Sequence, residues 1–321
     1  MQKISFLAID ISKHNITAYD GKKSFNFPNE RFLPQFNTFL SKNFNKNFLV
    51  IIYEPTGPYS AFLEEFCALE KIKVVPLNPR KVPRLLEVLG HRAKTDGLDA
   101  KALYEYRKLI SHKDIKTLEL NENLQKLASL LSEYHFLKKQ RVNFLNYLET
   151  LKFNPWRDEE SEKTIENMIF EINKRLKEIE EKIKKLIKKE ADTKNKVEAI
   201  KNIEGIGFLT AVNLFLFFER KKIRNRKEAV ALVGLDPIIY ESGKRKIGCR
   251  ISKQGDSYLR NLLYMAAMCA IRINERIKKF FVRLVHRGKP RKLALVACMR
   301  KLLIIALAYY KNCSQNLAIT S

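Results

Sequence analysis

The sequence predicts a mixed chain, α/β at its N-terminus and all-α thereafter. Three observations predict it. Residues 1–110 alternate short β-branched or aromatic runs with helical stretches. Residues 116–195 contain no glycine and a single proline, Pro155, as long helices require. Residues 196–321 set apolar helical segments in a strongly basic background. At 321 residues the chain has room for about two domains.

In the first region, Ile4–Asp10 is an apolar run that ends in an acid. Asn15–Tyr19 and Lys23–Phe27 read as two more strands, each after a turn-like polar stretch, and a helical stretch follows at 31–42. Phe48–Tyr53 is nearly all β-branched or aromatic, the composition of a strand covered on both faces. It ends in Glu54 and then Pro-Thr-Gly-Pro. Ser60–Glu70 reads as a helix, Ile72–Leu77 as a strand closed by Asn78-Pro79, and 80–89 as another helix. Thr95 is placed to cap a helix over 96–110. Three strands, then helix, strand, helix, strand, helix, is the order of a ribonuclease-H-like sheet.

In the middle region, Asn154-Pro155-Trp156 separates two long helices. In the second, Ile165, Ile169, Ile172, Leu176, Ile179, Ile183 and Leu186 are alternately four and three apart, a heptad seam flanked by Glu and Lys. Such a seam serves an intermolecular coiled coil or one arm of an intramolecular hairpin, and both can hold together. The last region has its core-forming segments at Ala211–Phe218, Ala229–Leu235, Leu262–Ile271 and Leu293–Tyr309. The expected division is a catalytic domain at 1–112, oligomerising helices at 113–195 and a basic helical domain at 196–321.

Composition narrows the function. With 45% hydrophobic and 30% charged residues the chain is not disordered as a whole. Lys and Arg number 61 against 35 Asp and Glu, a net charge of +26. From Gly243 to Ser321 there are 18 Lys and Arg against two acids, Asp256 and Glu275. A small neutral substrate asks for no such charge; a polyanion does, because neutralised phosphates release condensed counterions. The five cysteines (Cys67, Cys249, Cys269, Cys298, Cys313) form no CxxC, which points to a reducing compartment without a zinc site or a disulfide framework. The N-terminus lacks a signal-peptide pattern. Of the longest apolar stretches, 206–218 is too short to cross a bilayer and 293–310 is interrupted by Arg300 and Lys301. Composition alone therefore describes a cytoplasmic, nucleic-acid-facing protein with no membrane partner.

Four carboxylates stand where polynucleotide chemistry needs them. Asp10 and Glu54 end two strands, and Asp96 and Asp99 share one face at the start of a helix. Clustered carboxylates stay ionised together when a hard cation such as Mg²⁺ or Mn²⁺ sits among them. Singly, each acid is equally a cap or a surface residue, and Asp96 and Asp99 also suit a helix dipole. Ile203-Glu204-Gly205-Ile206-Gly207 precedes an apolar helix and fits the turn of a helix-hairpin-helix element, whose backbone N–H groups around Gly205 and Gly207 would grip a phosphate; a plain helix–helix turn has the same pattern. Ser242 lies before Gly243 and the cations Lys244, Arg245 and Lys246, which would hold a phosphodiester beside its hydroxyl; on spacing alone it is a turn serine. Lys253 and Arg260 belong to a second phosphate-facing turn that leads into a helix.

These residues together resemble the DEDD-type insertion-sequence transposases, the family numbered one-hundred-and-ten among bacterial insertion sequences. The N-terminal part is similar to that family's RuvC-like domain in AIDISK around Asp10, YEPTGPY around Glu54, LNPRKV at 77–82 and KTDGLDA at 94–100. The C-terminal part is similar to its second transposase domain in IEGIGFLTA at 203–211, VGLDP at 233–237, ESGK at 241–244 and ISKQGDSYLR at 251–260. Glu204 and Glu241 depart from the family's commoner proline and glutamine without altering a catalytic residue type. The resemblance implies a recombinase in which Ser242 attacks a DNA phosphodiester and forms a phosphoserine, with a metal site at Asp10, Glu54, Asp96 and Asp99. It also implies a bridge RNA that pairs with donor and target DNA, and assembly as a dimer or tetramer. Two other readings of the residues remain open: a hydrolytic, Holliday-junction-resolvase-like nuclease that uses water as nucleophile, and a nucleic-acid binder without activity.

Overall fold

The computed structural model describes residues 4–79, 96–242 and 245–320, the side chains of 96–99, 239–249 and 314–320 excepted. The chain divides into two compact units, Met1–Asn121 and Glu122–Ser321.

The first unit is built on a six-stranded mixed sheet. Its strands are β1 (Ser5–Ile11), β2 (Asn15–Tyr19), β3 (Ser24–Pro28), β4 (Leu49–Tyr53), β5 (Lys73–Pro76) and β6 (Lys116–Thr117), in the spatial order β3-β2-β1-β4-β5-β6. β1, β2 and β3 pair antiparallel, β1 with β4 and β4 with β5 are parallel, and β6 closes the edge antiparallel to β5. Side chains alternate between two covered faces. Leu7, Ile9, Leu49, Ile51 and Tyr53 pack beneath Phe36 and Leu40 of α1 (Pro34–Asn43) and Leu63, Phe66 and Cys67 of α2 (Ala61–Leu69). The intervening Ala8, Val50, Ile52 and Val75 pack with Leu103 of α3 (Asp96–Glu105). Coverage on both sides is why β4 is apolar at every position. This mixed sheet with helices is consistent with a ribonuclease-H-like domain.

Differences from the sequence reading are local. The third strand is Ser24–Pro28, one residue later than expected. The first helix waits for Pro34, whose fixed φ suits the first helical turn, after Leu33 in a left-handed conformation at φ 42°. The helix expected over 96–110 ends at Glu105 and continues as a 3-10 turn, Tyr106–Leu109. β6 lies in a region read as wholly helical. The helix expected over 80–89 and the Thr95 cap lie outside the described residues.

In the second unit α4 (Glu122–Leu151) and α5 (Glu159–Lys188) form an antiparallel hairpin whose turn holds Asn154-Pro155-Trp156. Asp158 caps α5 by accepting from Ser161 N at 2.9 Å. Arg175 Nε donates to Glu133 Oε1 at 2.8 Å and Arg141 Nη1 to Asn173 Oδ1 at 3.0 Å across the pair, and Asn123 meets Glu190. The heptad seam is thus buried intramolecularly, though only in its second half. Leu176, Ile179 and Ile183 are buried, and the next buried position is Ile187, not Leu186. A straight helix at 3.6 residues per turn drifts off a 3.5-residue seam in this direction. Ile165, Ile169 and Ile172 are half-buried, while Phe153 (84% exposed) and Trp156 (88%) stand free at the tip.

Ile179, Ile183 and Ile187 join one core with Leu127 and Leu131 of α4 and with α6 (Ala191–Lys201), α7 (Phe208–Lys221), α8 (Arg226–Val233), α9 (Ser257–Ile273), α10 (Glu275–His286) and α11 (Arg291–Thr320). Lys196 of α6 bridges Asp192 (2.7 Å) and Glu219 of α7 (3.0 Å), which satisfies an ammonium drawn into this interior. α11 is, among the described residues, the one helix long and apolar enough to span a bilayer by length and composition; its Leu295, Cys298, Met299, Leu302 and Leu303 lie in the core. The expectation of an all-helical C-terminal region is corrected at 237–251. There β7 (Pro237–Ser242) and β8 (Arg245–Ile251) form an antiparallel hairpin, as the β-branched and aromatic Ile238, Ile239, Tyr240, Ile247 and Ile251 favour.

Burial within the hairpin yields the first prediction. Ile179 is fully buried, so Ile179→Asp removes about 3–5 kcal/mol of stability. Ile165→Asp, at a half-exposed site, costs less than about 1 kcal/mol. Urea denaturation of the two variants measures both, and equal losses would contradict the hairpin packing.

Candidate active site

Asp10 is the penultimate residue of β1, and Glu54 follows β4 directly. The strands are parallel with Ile9 opposite Tyr53, so the two acids reach the end of the sheet at the same level on neighbouring strands. Alternation gives them the same face: Ala8 and Ile52 pack toward α3, and Asp10 and Glu54 are the next residues of that parity. Tyr53 points the other way, its hydroxyl donating to Glu64 Oε1 of α2 at 2.9 Å. Burial, and then that carboxylate, push its phenol far above the usual range.

Asp96 opens α3 and Asp99 stands one turn on; their side chains lie outside those described. α3 is seated on the sheet by Leu103 and Tyr104. The Tyr104 ring meets Tyr19 edge-on at 5.4 Å and lies under the Arg107 guanidinium at 4.0 Å. It occupies space that only a glycine at position 21 leaves open. A Cβ on Gly21 would come 2.5 Å from the Tyr104 hydroxyl, and φ is +99° there. The helix that carries two of the acids therefore packs on the strands that carry the other two. Among the described residues no three acidic, histidine or cysteine side chains gather. Asp10 and Glu54 offer the hard oxygen donors that a divalent cation prefers.

Sequence reasoning missed Asn29, which follows β3 in no motif. Its Nδ2 donates to Ser12 O and to Tyr59 O, both at 2.9 Å. It so ties the segment after Asp10 to the segment after Glu54. Thr56 Oγ1 adds a bond to Glu54 O at 3.0 Å.

In the second unit Ser242 ends β7 and pairs with Arg245 across the hairpin tip. Gly243 and Lys244 lie outside the described residues, as do the side chains of Ser242, Arg245 and Lys246. The strand register shifts between Tyr240 and Glu241, just before the serine, as a bulge that re-aims a strand end does. The base of the hairpin is clamped. Gly234 ends α8 at φ 73°, and a Cβ on Gly255 would lie 2.1 Å from Leu232 O. Ser252 N donates to Asp236 O at 2.9 Å and its hydroxyl to the Asp236 carboxylate. Arg260 Nη1 donates to Val233 O (2.9 Å) and Gly255 O (3.0 Å). Asp256 caps α9 through Leu259 N at 2.9 Å. The VGLDP and ISKQGD segments are thus two halves of one joint. This nitrogen of Arg260, a residue expected to face a phosphate, is engaged by carbonyls in a half-buried loop. Lys253 is exposed, with φ +52°.

Gly205, at φ +97°, lets its turn approach α9, where a Cβ would sit 2.6 Å from that of Ala270. Gly207 precedes α7 with open space around it. His135 of α4 is a further residue that the sequence did not single out. Its ring stacks on Tyr258 of α9 with centroids 3.6 Å apart. Burial lowers its pKa to about 4 and raises that of Tyr258 to about 12.

Two family models match the chain. One, described as a transposase and defined by the DEDD domain of this family, covers residues 7–151. The other, described as the Transposase IS116/IS110/IS902 family, covers residues 197–282. The chain belongs to this transposase family. Its members act on DNA as recombination enzymes, and the DEDD domain implies dependence on a divalent metal. The chain is also similar to the pilin gene-inverting proteins of Moraxella bovis and Moraxella lacunata. Each is 25% identical over 324 residues, covering 96% of this chain and 96% of the relative.

Two predictions follow from this transposase's geometry. Arg260→Ala leaves two carbonyls without a donor and lowers stability by about 1.5–3 kcal/mol. It leaves the salt dependence of DNA binding unchanged, measured by anisotropy titration across a salt series. The second concerns pH. Unfolded His135 takes up its proton near 6.5, folded His135 only near 4. Its neutral form therefore contributes stability that is complete above pH 6.5 and is lost as pH falls toward 4, by about 2 kcal/mol given its partial exposure. Urea melts across that window should show His135→Gln less pH-sensitive than the parent chain.

Proposed function

We propose that this transposase exchanges DNA strands through a phosphoserine at Ser242, served by a divalent cation, Mg²⁺ or Mn²⁺, at Asp10, Glu54, Asp96 and Asp99. The observation that carries the reading is the placement of Asp10 and Glu54 at one level and on one face of neighbouring parallel strands. Two carboxylates so placed repel each other unless a cation or a proton intervenes. The position of Ser242 at the tip of a two-stranded ribbon supports its role, because a tip reaches a DNA backbone that a recessed residue does not.

When bound, the cation neutralises charge on the scissile phosphate and eases loss of the serine proton. Ser242 Oγ attacks the phosphorus as the bond to the leaving strand breaks, and the serine proton ends on the leaving oxygen. The ester conserves the bond energy, so a new strand rejoins without ATP. Lys244, Arg245, Lys246 and Lys253 hold the phosphodiester, and the Gly205–Gly207 turn contributes backbone N–H groups. A bridge RNA from the element specifies donor and target DNA. Residues 1–112 carry the carboxylates, 113–195 assemble a dimer or tetramer, and 196–321 supply the serine and the cations. The reaction takes place in the cytoplasm, on nucleoid DNA. The relatives named for pilin gene inversion support a reaction that both breaks and rejoins DNA, since inversion requires both.

The test is a denaturing gel of protein incubated with element DNA and its co-purified RNA. The wild-type chain should leave a covalent protein–DNA adduct. Ser242→Ala and Asp96→Asn should each reduce it by about a thousandfold or more, and Asp10→Asn should abolish cleavage while DNA binding stays near wild type. Cleavage by Ser242→Ala without an adduct would make water the nucleophile and the enzyme a hydrolytic nuclease.

A further inference from the structure

No Asp or Glu follows Glu275, although α10 and α11 are rich in Lys and Arg. On α10, Arg276, Phe280 and Arg283 recur at helical spacing on one face. Lys301 of α11 reaches the same ring: its Nζ lies 4.3 Å from the Phe280 centroid, and the Arg283 guanidinium lies 5.4 Å from it. Burial first, then the charges of Arg276 and Arg283, hold the Lys301 ammonium below its usual pKa. Among the described residues the one ion pair from α10 is Lys279–Glu275, at 3.7 Å and largely exposed. Arg283 and Lys301 therefore flank an aromatic ring, with Arg276 one turn away on the same face, and among the described residues no carboxylate pairs with any of the three. Such a cluster opposes folding by its own repulsion and is relieved by an anionic ligand.

The apolar side of α10 is already used. Ile277 is fully buried, and Phe280 and Phe281 pack against the core of the second unit. A membrane-surface helix keeps its apolar face free; here most exposed positions of α10 are charged, Val282 being an exposed apolar one. Arg276 and Arg283, seven positions apart, are separated by about 10 Å along the helix, close to three base pairs of duplex rise at about 3.4 Å each.

We propose that Arg276, Arg283 and Lys301, set around Phe280, form a contact site for the phosphodiester backbone of duplex DNA. The site positions the duplex without reading its sequence. It rests on the chain's acting on DNA and is independent of whether Ser242 is the nucleophile.

The experiment measures equilibrium binding of a labelled DNA duplex and, separately, a labelled RNA hairpin to the full chain, over a salt series in EDTA, where strand cleavage makes no contribution. The variant R276Q/R283Q/K301Q is compared with K177Q/K182Q/K185Q, which removes the same charge from exposed positions on α5. The first variant should lower the slope of log affinity against log salt for duplex DNA by about 2 to 3, at about 0.9 for each phosphate no longer neutralised, and leave RNA binding unchanged. The α5 variant should leave the DNA slope as it is, and R276K/R283K should retain it. Equal slopes in the two triple variants, or a loss confined to RNA, would overturn the assignment. Thermal melts accompany the titrations; the cluster variant should melt no lower than the parent, and a lower melting point with an unchanged slope would make the cluster structural.

Discussion

The parallel pairing of β1 with β4 sets the geometry of the first unit. Both strands are covered on both faces, so their register is fixed by burial: Leu7, Ile9, Ile51 and Tyr53 belong to one layer, Ala8, Val50 and Ile52 to the other. A slip of one residue in either strand would send that whole set to the wrong layer. The same slip would move Asp10 or Glu54 to the side of α1 and α2. The position of two carboxylates is thus held by some of the best-packed apolar residues in the unit, and no separate device is needed to bring them level. Tyr104 against Gly21 extends this control to α3, and Asn29 extends it to the loops beyond each strand end.

The second unit uses a different device for its functional segment. A two-stranded ribbon has little stability of its own, so the hairpin bearing Ser242 depends on what holds its base. Asp236, Ser252, Arg260 and the close approach of Gly255 to Leu232 join the end of α8 to the start of α9. The ribbon is therefore rooted in two core helices. Each unit keeps its own core: the first carries Asp10 and Glu54 at the end of its sheet, the second Ser242 at its hairpin tip and an excess of cations.

Much of this was legible in the sequence where one physical signal dominates. Apolar runs that end in an acid gave both strands and their acids, because a strand buried on both faces must be apolar and its end must not be. The glycine-free middle gave the long helices. The hairpin at 237–251 was hidden because β8 is interspersed with Lys, Arg and Gly248, a composition shared with polar turns. Arg260 carried no mark in the sequence to separate it from the other cations nearby; only the carbonyls of Val233 and Gly255 distinguish it. Asn29 and the His135–Tyr258 stack depend on residues brought together from distant parts of the chain. The move from Leu186 to Ile187 in the buried seam reflects a straight helix fitted to a globular core, where a heptad alone suggests a supercoil.

Apart from Leu151, the buried positions of α4 and α5 lie toward the root, with Ile179 and Ile183 fully buried and Phe153 and Trp156 exposed at the turn. Opening free energies follow this burial. Amides near the turn exchange with solvent through local fraying, whereas those near Ile179 exchange only when the core shared with α6–α11 comes apart. The hairpin is consequently a cantilever, stiff at its root and compliant at its end. A load on its far end is dissipated in the last turns of helix before it reaches the joint beneath Ser242.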